Sequence, residues 1–363
     1  MMTPFNLFYQ YAAKPILFRF DPEFIHELVL SRMGLCRPFK SIINRMLAPQ
    51  DSRLERTIWG RRLPHPIGLA GGFDKNAVCT DLWDAFGFSH FEIGTLTPRP
   101  QPGNPKPRLF RYPDSRALVN RMGFNNGGSQ AAADLLTRKQ SQNRSPTAMM
   151  GVSLGKQFDT PADDIGRVIE DYTISLERLY RFGDFFVVNV SSPNTPNLRT
   201  LQEGEKLAQL LAAMQKKMDE IAAGEKRKPL CVKLAPDLSG EQIREALGVI
   251  RQLRLDGVIA TNTTNQTGGR ESGGMSGEPL RQRSTEVVRL AASELKGKIP
   301  IIGCGGIFNA EDAVEKLAAG AQLLQIYTGF VYQGPAIVRD ILKGILRMMD
   351  ERGLKQLDDF RDG

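Results

Sequence analysis

Two kinds of hydrophobic pattern alternate along the chain from residue 66 onward. Short apolar runs are typical of buried parallel strands, and the longer stretches between them place apolar residues at the three-to-four spacing of amphipathic helices. Eight runs are predicted to be strands: Pro66–Ala70, Phe91–Leu96, Ala148–Leu154, Phe185–Val190, Leu230–Leu234, Gly257–Ala260, Ile299–Gly303 and Gln322–Ile326. The helical spacing is clearest in Asp163–Arg181, Lys206–Ile221, Gly240–Leu253 and Ala310–Leu317. Eight strand–helix units predict an α/β fold, a closed (β/α)8 TIM barrel.

A doubly wound open sheet is the alternative architecture. No G-x-G-x-x-G turn follows the first run, which weakens that alternative without removing it. Two connections are longer than barrel loops usually are, and such loops tend to be functional. In Pro98–Asn126, the pieces LFRYP and ALVN are predicted to pair as a small hairpin over the barrel mouth. We expect Ser191–Leu201 to be a mobile cover.

The first 45 residues have a different pattern, dense in aromatic and aliphatic side chains. Asp21 and Pro22 predict the start of a helix with an apolar stripe, and Gly34 predicts its end. We therefore divide the chain into an N-terminal helical segment, residues 1–45, and a barrel domain, residues 46–363. The helices either lie in a membrane interface, with Lys14, Arg19 and Arg32 at the rim, or simply pack against the barrel.

Charge and composition limit the binding partners that we expect for this protein. The net charge of +8 and the pI of 9.3 favour anionic partners, but the basic residues are spread along the chain, which argues against nucleic acid. The four cysteines form no C-x-x-C pair, so we predict neither disulfides nor a metal site. We find neither a secretion leader nor an apolar run of about 18 residues, and expect the protein on the cytoplasmic side.

Polar residues that end the predicted strands should share one mouth of the barrel. They are Lys75, Thr95, Ser153, Asn189, Ser192, Lys233, Asn262, Thr263, Gly305, Gly306, Tyr327 and Thr328. The glycine pair after strand 7 predicts a phosphate site, or else a tight turn. We expect Lys75 and Lys233 each to face an anionic ligand, or else to form an internal ion pair with an aspartate. The amides Asn120, Asn189, Asn194 and Asn262 suit a planar ring with alternating carbonyl and N–H groups, although singly each could be a turn residue.

Nine motifs together resemble a known family. They are GFDKNA (72–77), EIGTLTPRPQPGNPKPRLFR (92–111), VNRMGFNN (119–126), VVNVSSPNT (187–195), VKLAP (232–236), ATNTT (260–264), SGGMSGEPL (272–280), IIGCGGI (301–307) and IYTGF (326–330). In this order, over nearly the whole chain, they resemble the class 2 dihydroorotate dehydrogenases. The resemblance implies oxidation of (S)-dihydroorotate to orotate in de novo pyrimidine (UMP) biosynthesis. It also implies FMN as the hydride acceptor, ubiquinone or menaquinone as the final acceptor, and a peripheral position on the cytoplasmic face of the cell membrane.

The resemblance also assigns residues. FMN would be surrounded by Ala70, Gly72, Lys75, Thr95, Asn120, Asn189, Lys233, Thr261, Ser276, Gly277, Gly305, Gly306, Tyr327 and Thr328. Dihydroorotate would be held by Lys75, Asn120, Arg121, Met122, Gly123, Phe124, Asn189, Asn194, Asn262 and Thr263. His26 and Arg111 would lie near the quinone head.

Ser192 would be the base that removes the C5 proton while hydride leaves C6. None of the three histidines lies in its loop, so we infer a proton relay through a neighbouring hydroxyl or water. Lys233 would stabilise electron density on the reduced flavin. Soluble relatives place a cysteine at the Ser192 position and lack the N-terminal helices, so both features indicate the quinone-dependent class.

The chain departs from the family pattern twice. Ser153 stands where relatives usually carry asparagine, and AGG at 70–72 stands where they usually carry AAG. Direct contact between Ser153 and the flavin therefore stays open, with a bridging water as the alternative. Two other functions also remain: an NAD-linked or oxygen-using FMN barrel oxidoreductase, and a catalytically silent barrel that binds membrane surfaces.

Overall fold

The computed structural model describes residues 4–362, and its centre is a closed barrel of eight parallel strands. The barrel strands are β3 (Ile67–Asp74), β4 (His90–Leu96), β7 (Met149–Leu154), β8 (Phe185–Asn189), β9 (Leu230–Leu234), β10 (Gly257–Ala260), β12 (Ile301–Cys304) and β13 (Leu323–Ile326). They follow one another around the barrel in chain order, and β13 pairs with β3 to close it. The predicted barrel is confirmed, with each strand at a predicted run.

Barrel strands are apolar on both sides because helices cover the outer face and packed side chains fill the interior. Phe185, Val187, Ile259, Ile302 and Leu323 form part of the inner cluster, and all are fully buried. Polar residues enter this interior near the carboxyl ends of the strands. The apolar filling therefore forms a floor, and the polar residues above it face the mouth.

Helices surround the barrel and also precede it. Their bounds are α1 (Pro4–Phe8), α2 (Lys14–Leu17), α3 (Pro22–Arg32), α4 (Lys40–Leu47), α5 (Ser129–Ser141), α6 (Ile165–Leu179), α7 (Gly204–Ala222), α8 (Gly240–Gln252), α9 (Arg281–Leu295), α10 (Ala310–Ala318), α11 (Thr328–Gln333), α12 (Ile337–Arg352) and α13 (Asp359–Asp362). A π-helical turn, Tyr9–Ala13, joins α1 to α2, and a 3-10 helix, Met33–Phe39, joins α3 to α4. All four predicted helical stretches are helices, α6, α7, α8 and α10.

A second, three-stranded antiparallel sheet covers part of the mouth. It consists of β5 (Leu109–Tyr112), β6 (Ala117–Asn120) and β11 (Gly274–Gly277), in the order β11-β6-β5. The predicted hairpin is confirmed as β5 and β6, whereas β11 was not predicted because its glycine-rich sequence has no strand pattern. A two-stranded antiparallel pair, β1 (Arg56–Ile58) and β2 (Arg61–Leu63), precedes the barrel.

The N-terminal segment consists of α1 to α4. The predicted start of α3 is confirmed, because the Asp21 side chain accepts a hydrogen bond from the backbone N–H of Phe24 at 2.8 Å. Helix α4 runs to Leu47, two residues past the predicted boundary at 45. In the described chain, the exposed large hydrophobic side chains other than Val78 and Phe158 all lie between residues 7 and 46. Within residues 4–362, every helix is too short or too polar to cross a bilayer.

Candidate active site

A cavity opens at the carboxyl ends of the barrel strands, beneath the three-stranded sheet. It has about 1050 Å³ of space, including the part open to solvent, which suits a small-molecule ligand. Its walls come from barrel strands, from β6 and β11, and from the loop after β8. In a (β/α)8 barrel this end carries the chemistry, so the cavity is the candidate active site.

One wall of the cavity is formed by the glycine pair Gly305–Gly306. Gly305 and Gly306 have φ angles of 122° and 70°, and a Cβ on Gly306 would lie 2.4 Å from the Cβ of Arg281. In the described chain neither N–H group donates a hydrogen bond to a protein acceptor. Backbone N–H groups left unpaired around a cavity form a site for an anion such as phosphate.

A buried cation lies behind this glycine pair. The ammonium group of Lys316, which is fully buried, donates hydrogen bonds to Ser284 Oγ at 2.6 Å and Thr285 Oγ1 at 2.9 Å. Ser284 Oγ in turn donates to the carbonyl of Gly305 at 3.1 Å. Burial lowers the Lys316 pKa to about 8. Its partners are neutral, so the positive charge favours an anion at this end of the cavity.

Two lysines line the cavity. Within residues 4–362, the side-chain ammonium groups of Lys75 and Lys233 form neither a hydrogen bond nor an ion pair with the protein, although Lys233 is only 5% exposed. Asp74 instead accepts hydrogen bonds from backbone N–H groups and Trp83, and Asp237 pairs with Arg199. The internal Lys–Asp pairs are therefore not formed, and both ammonium groups are available to an anionic ligand.

Side-chain amides form a hydrogen-bonded group in the wall of the cavity. Asn194 donates to Asn120 Oδ1 at 3.0 Å, and Asn262 donates to Asn189 Oδ1 at 3.2 Å. Asn189 donates to Thr95 Oγ1 at 2.7 Å. Because each amide is fixed by its neighbours, the group presents donors and acceptors in set positions, as recognition of a planar polar ring requires.

Ser192 lies in the loop after β8, and its side chain lines the cavity. It is 7% exposed, and its Oγ accepts a hydrogen bond from the backbone N–H of Asn194 at 3.3 Å. His65 and His90 are buried away from the cavity, and His26 lines a different one. The structure thus agrees with the sequence that no histidine can act on Ser192 directly.

The structure brings nearly all the predicted residues together. All of the predicted cofactor residues line this cavity, as does the predicted substrate set with one exception. The exception is Arg121, whose guanidinium points to the surface, where it donates to the carbonyl of Pro107 at 3.0 Å and lies over the Phe110 ring. Ser153 also lines the cavity, and its Oγ lies 2.9 Å from Thr95 Oγ1.

Sequence reasoning missed some cavity residues, including Gln325, Leu280 and Ile307. Gln325 is fully enclosed in β13 and donates to the carboxylate of Glu92 in β4. Both are polar residues within apolar strand runs, LLQIY and HFEIG, and that interruption was the available signal. Their inward direction makes them part of the floor beneath the mouth.

A second cavity, of about 1110 Å³, lies between the N-terminal helices and the barrel. Most of its lining is apolar, and it includes both residues predicted for the quinone, His26 and Arg111. Burial lowers the His26 pKa to about 3, with the charge of Lys75 acting in the same direction, so the ring is neutral. Arg111 lies over the Phe18 ring and donates to the Leu17 carbonyl at 3.2 Å.

Tyr327 lines both cavities, and Phe73 lies against it. The two rings make an edge contact with centroids 5.2 Å apart, and Phe73 also makes an edge contact with His26 at 4.9 Å. The two cavities therefore adjoin each other at Tyr327 and at the end of β3.

Comparison with known proteins gives a consistent result. A family model described as dihydroorotate dehydrogenase matches residues 53–349. The chain is 47% identical to a dihydroorotate dehydrogenase (quinone) of Thermosynechococcus vestitus, covering 94% of this chain and 97% of the relative. It is 44% identical to the protein of that name from Azotobacter vinelandii, with 94% and 97% covered. A crystal structure of DHODH from Eimeria tenella in complex with ferulenol superposes with a TM-score of 0.82 at 33% identity, covering 93% of this chain and 94% of that one.

Proposed function

Because the chain belongs to the dihydroorotate dehydrogenase family, in its quinone-dependent class, we propose that it oxidises (S)-dihydroorotate to orotate with FMN as cofactor and a membrane quinone as electron acceptor. This is the oxidation step of de novo pyrimidine biosynthesis. The observation that carries the proposal is that Ser192, four amides, the backbone of the glycine pair and two lysines without a partner in the described chain all line one cavity.

The residues of the first cavity fit FMN. Its phosphate matches the N–H groups of Gly305 and Gly306, which have no acceptor in the described part of the chain, with the charge of Lys316 behind them. Thr95, Asn189 and Lys233 supply polar groups for the ring system, and Ala70 and Gly72 leave room for it. FMN, when bound, supplies an acceptor for hydride and a donor of electrons to quinone.

Dihydroorotate is a cyclic ring of amide groups with a carboxylate, and the cavity offers partners for both parts. Lys75 supplies the cation for the carboxylate, since it has no protein partner in the described chain. Asn120, Asn189, Asn194 and Asn262 supply donors and acceptors for the ring. A ligand that lacks the carboxylate would leave the buried charge of Lys75 without compensation, which gives the site selectivity for anions.

In the proposed mechanism Ser192 removes the proton at C5 as hydride leaves C6, so that the C5–C6 double bond forms. Serine is a weak base, and the backbone N–H of Asn194 that donates to its Oγ stabilises negative charge developing there. The proton then passes to a neighbouring hydroxyl or water. Burial of Ser192 keeps bulk solvent from the reacting atoms.

The second cavity supports the proposed route for quinone. Its apolar lining suits a quinone ring and its isoprenoid tail, with neutral His26 and cationic Arg111 as the polar groups for the quinone oxygens. It opens beneath helices whose exposed residues include Phe24, Leu35 and Ile42. Apolar side chains with cations at their rim are typical of a helix lying in a membrane interface, and we place the protein on the cytoplasmic face of the cell membrane.

Steady-state turnover tests the proposal against other flavin barrels. The purified protein should release FMN on denaturation and form orotate from dihydroorotate when a quinone is the only acceptor. NAD+ should not replace the quinone. Turnover with NAD+ and none with quinone would contradict the proposal, and a colourless protein that cannot bind added FMN would indicate a silent barrel.

A further inference from the structure

We propose that Glu23, in the N-terminal helix α3, is a positioning residue for the substrate side of the active site, acting through Arg108 and Asn104. This inference rests on the proposed function, because it concerns the residues assigned to dihydroorotate. It assigns to the N-terminal helices a part in substrate oxidation, separate from the quinone cavity that they cover.

The first link is an ion pair buried between α3 and the loop before β5. Glu23 is 3% exposed and Arg108 is 6% exposed, and the Arg108 guanidinium donates to both Glu23 oxygens, at 2.7 and 3.1 Å. Burial alone would raise the Glu23 pKa, but the hydrogen bonds and charge of Arg108 keep it below the usual value, so the pair is ionised. A two-pronged pair of this kind fixes the direction of the arginine.

The second link joins Arg108 to Asn104. The remaining guanidinium nitrogen, Nη1, donates to the carbonyl oxygens of Pro102 at 2.5 Å and Asn104 at 2.8 Å. Arg108 therefore fixes the conformation of the loop before β5, to which it belongs, and Glu23 fixes the position of Arg108. Removing the carboxylate would leave the guanidinium buried with one side unpaired and free to turn.

The third link leads from Asn104 into the active site. The Asn104 side-chain amide donates to the carbonyls of Arg121 at 2.9 Å and Asn194 at 3.2 Å. Arg121 follows Asn120, which is a member of the amide group. Asn194 is also a member, and it donates to Asn120 Oδ1 at 3.0 Å. The backbone N–H of Asn194 is also the group that donates to Ser192 Oγ. One asparagine outside the cavity thus fixes the two loops that carry the substrate amides and the proposed base.

Close packing leaves these loops little freedom to adjust. A Cβ on Gly123 would lie 2.9 Å from the Asn104 side chain, and one on Gly103 would lie 2.2 Å from the Met122 carbonyl oxygen and 2.8 Å from Arg108 Nη1. A shift of Arg108 or Asn104 is therefore transmitted to residues 121–123 and 194 and not absorbed locally.

The charge of Glu23 also reaches the substrate cation. Burial lowers the pKa of Lys75 to about 8, while the negative charge of Glu23, and to a smaller extent Glu27 and Asp74, opposes that shift. Arg108 lowers it further, and the neighbouring ring of His26 is neutral. Loss of the Glu23 charge should therefore reduce the protonated fraction of Lys75 near neutral pH.

The test compares Glu23→Gln with Glu27→Gln in the FMN-bound enzyme. Glu27 lies one turn further along the same helix, with a side chain that is 60% exposed and 3.8 Å from Lys106, so its variant removes the same charge without touching Arg108. Orotate binding to the oxidised enzyme is measured from the perturbation of the flavin spectrum. Flavin reduction by dihydroorotate and reoxidation by a soluble quinone are then followed separately under anaerobic conditions.

We expect Glu23→Gln to weaken orotate binding about tenfold and to slow flavin reduction by a similar factor, with reoxidation by quinone changed less than about twofold. Glu27→Gln should stay within about twofold of the parent in all three measurements. The pH at which orotate affinity begins to fall should also shift downward in Glu23→Gln, which a purely structural role would not cause.

Asn104→Ala provides a second variant that leaves the buried ion pair intact, in case Glu23→Gln does not fold. It should produce the same selective loss of orotate binding. At about pH 6, where Lys75 stays protonated with or without the Glu23 charge, the double variant should bind orotate no more weakly than the weaker-binding single variant, because the two residues then act in series. Additive losses at that pH, equal losses in both half-reactions, or parent-like binding in folded variants would each overturn the inference. If dihydroorotate fails to reduce the parent enzyme, the proposed function fails, and this inference fails with it.

Discussion

Ser192 is the residue on which the proposed chemistry depends. Replacing it with alanine removes the proposed base, while the contacts of the glycine pair and the lysines stay in place. We expect Ser192→Ala to retain FMN and to slow its reduction by dihydroorotate by roughly 100- to 10,000-fold. Flavin absorbance confirms cofactor retention, and anaerobic stopped-flow absorbance gives the rate. Reduction at the parent rate would show that Ser192 is not the base.

Lys75 predicts a pH dependence of ligand affinity. Burial lowers its pKa to about 8, so the free site carries a positive charge below that pH and progressively loses it above. Only the protonated form attracts the orotate carboxylate, so affinity should be constant from about pH 6 to 7.5 and fall by up to about tenfold per pH unit above pH 8. Titration of the oxidised enzyme with orotate measures this. A flat profile up to pH 10 would mean that Lys75 does not bind the carboxylate.

The strand pattern sufficed to predict that certain side chains meet at one cavity, but not the direction of every side chain. Lys75 and Ser192 follow β3 and β8, and Lys233 lies in β9 near its end, and all three line the cavity. Arg121 belongs to the same motif as its neighbours, but successive residues of an extended segment point to opposite sides, and its side chain points outward to Pro107. Sequence spacing alone did not separate these two directions.

The helices over the second cavity allow the two half-reactions to be separated. Val29, on α3, lines that cavity, while Leu28 next to it does not. We expect Val29→Trp to occupy part of the cavity and slow flavin reoxidation by quinone about tenfold or more, without changing reduction by dihydroorotate. Leu28→Trp is the matched control and should affect neither step. Slower reduction with normal reoxidation in Val29→Trp would place the quinone elsewhere.

The exposed apolar side chains of α3, the 3-10 helix and α4 predict membrane contact. Phe24, Leu35 and Ile42 are 54%, 71% and 61% exposed, so changing all three to serine should leave the fold intact. Binding to vesicles containing anionic lipids should fall by about tenfold or more, measured by sedimentation. Val78→Ser with Phe158→Ser serves as the control, since these exposed residues lie outside the segment. Equal losses in both variants would contradict a membrane role for the segment.

At the level of elements, the hydrophobic pattern predicted the buried barrel strands. It did not predict elements that form only through contacts with residues distant in sequence. The eight barrel strands are apolar runs, so each was located to within a few residues. Strand β11 contains Gly274 and Gly277 and exists because it pairs with β6, which is far away in sequence. The segment after β3 forms turns where a barrel would usually have a helix, and tertiary contacts hold it. Its Trp83 makes an edge contact with Phe73 of β3, and its Cys79 donates to the Leu30 carbonyl of α3 at 3.4 Å. The predicted mobility of Ser191–Leu201 stays a prediction.

For the whole molecule, the barrel places one cavity over its strands and a second beneath the N-terminal helices, with Tyr327 bordering both. The net charge of +8 suits an anionic substrate and an anionic membrane surface alike. The barrel architecture followed from the pattern of the chain, whereas the second cavity did not, because it forms only when helices from the first 47 residues meet α11.

A double-mixing stopped-flow experiment on the FMN-bound enzyme tests the central claim, that one molecule takes hydride from dihydroorotate at one cavity and delivers electrons to quinone from the other. Anaerobic dihydroorotate in the first mix should bleach the flavin absorbance, and quinone in the second should restore it, with orotate formed in a 1:1 ratio to flavin. Flavin that dihydroorotate does not bleach, or that quinone does not reoxidise once bleached, would contradict the account.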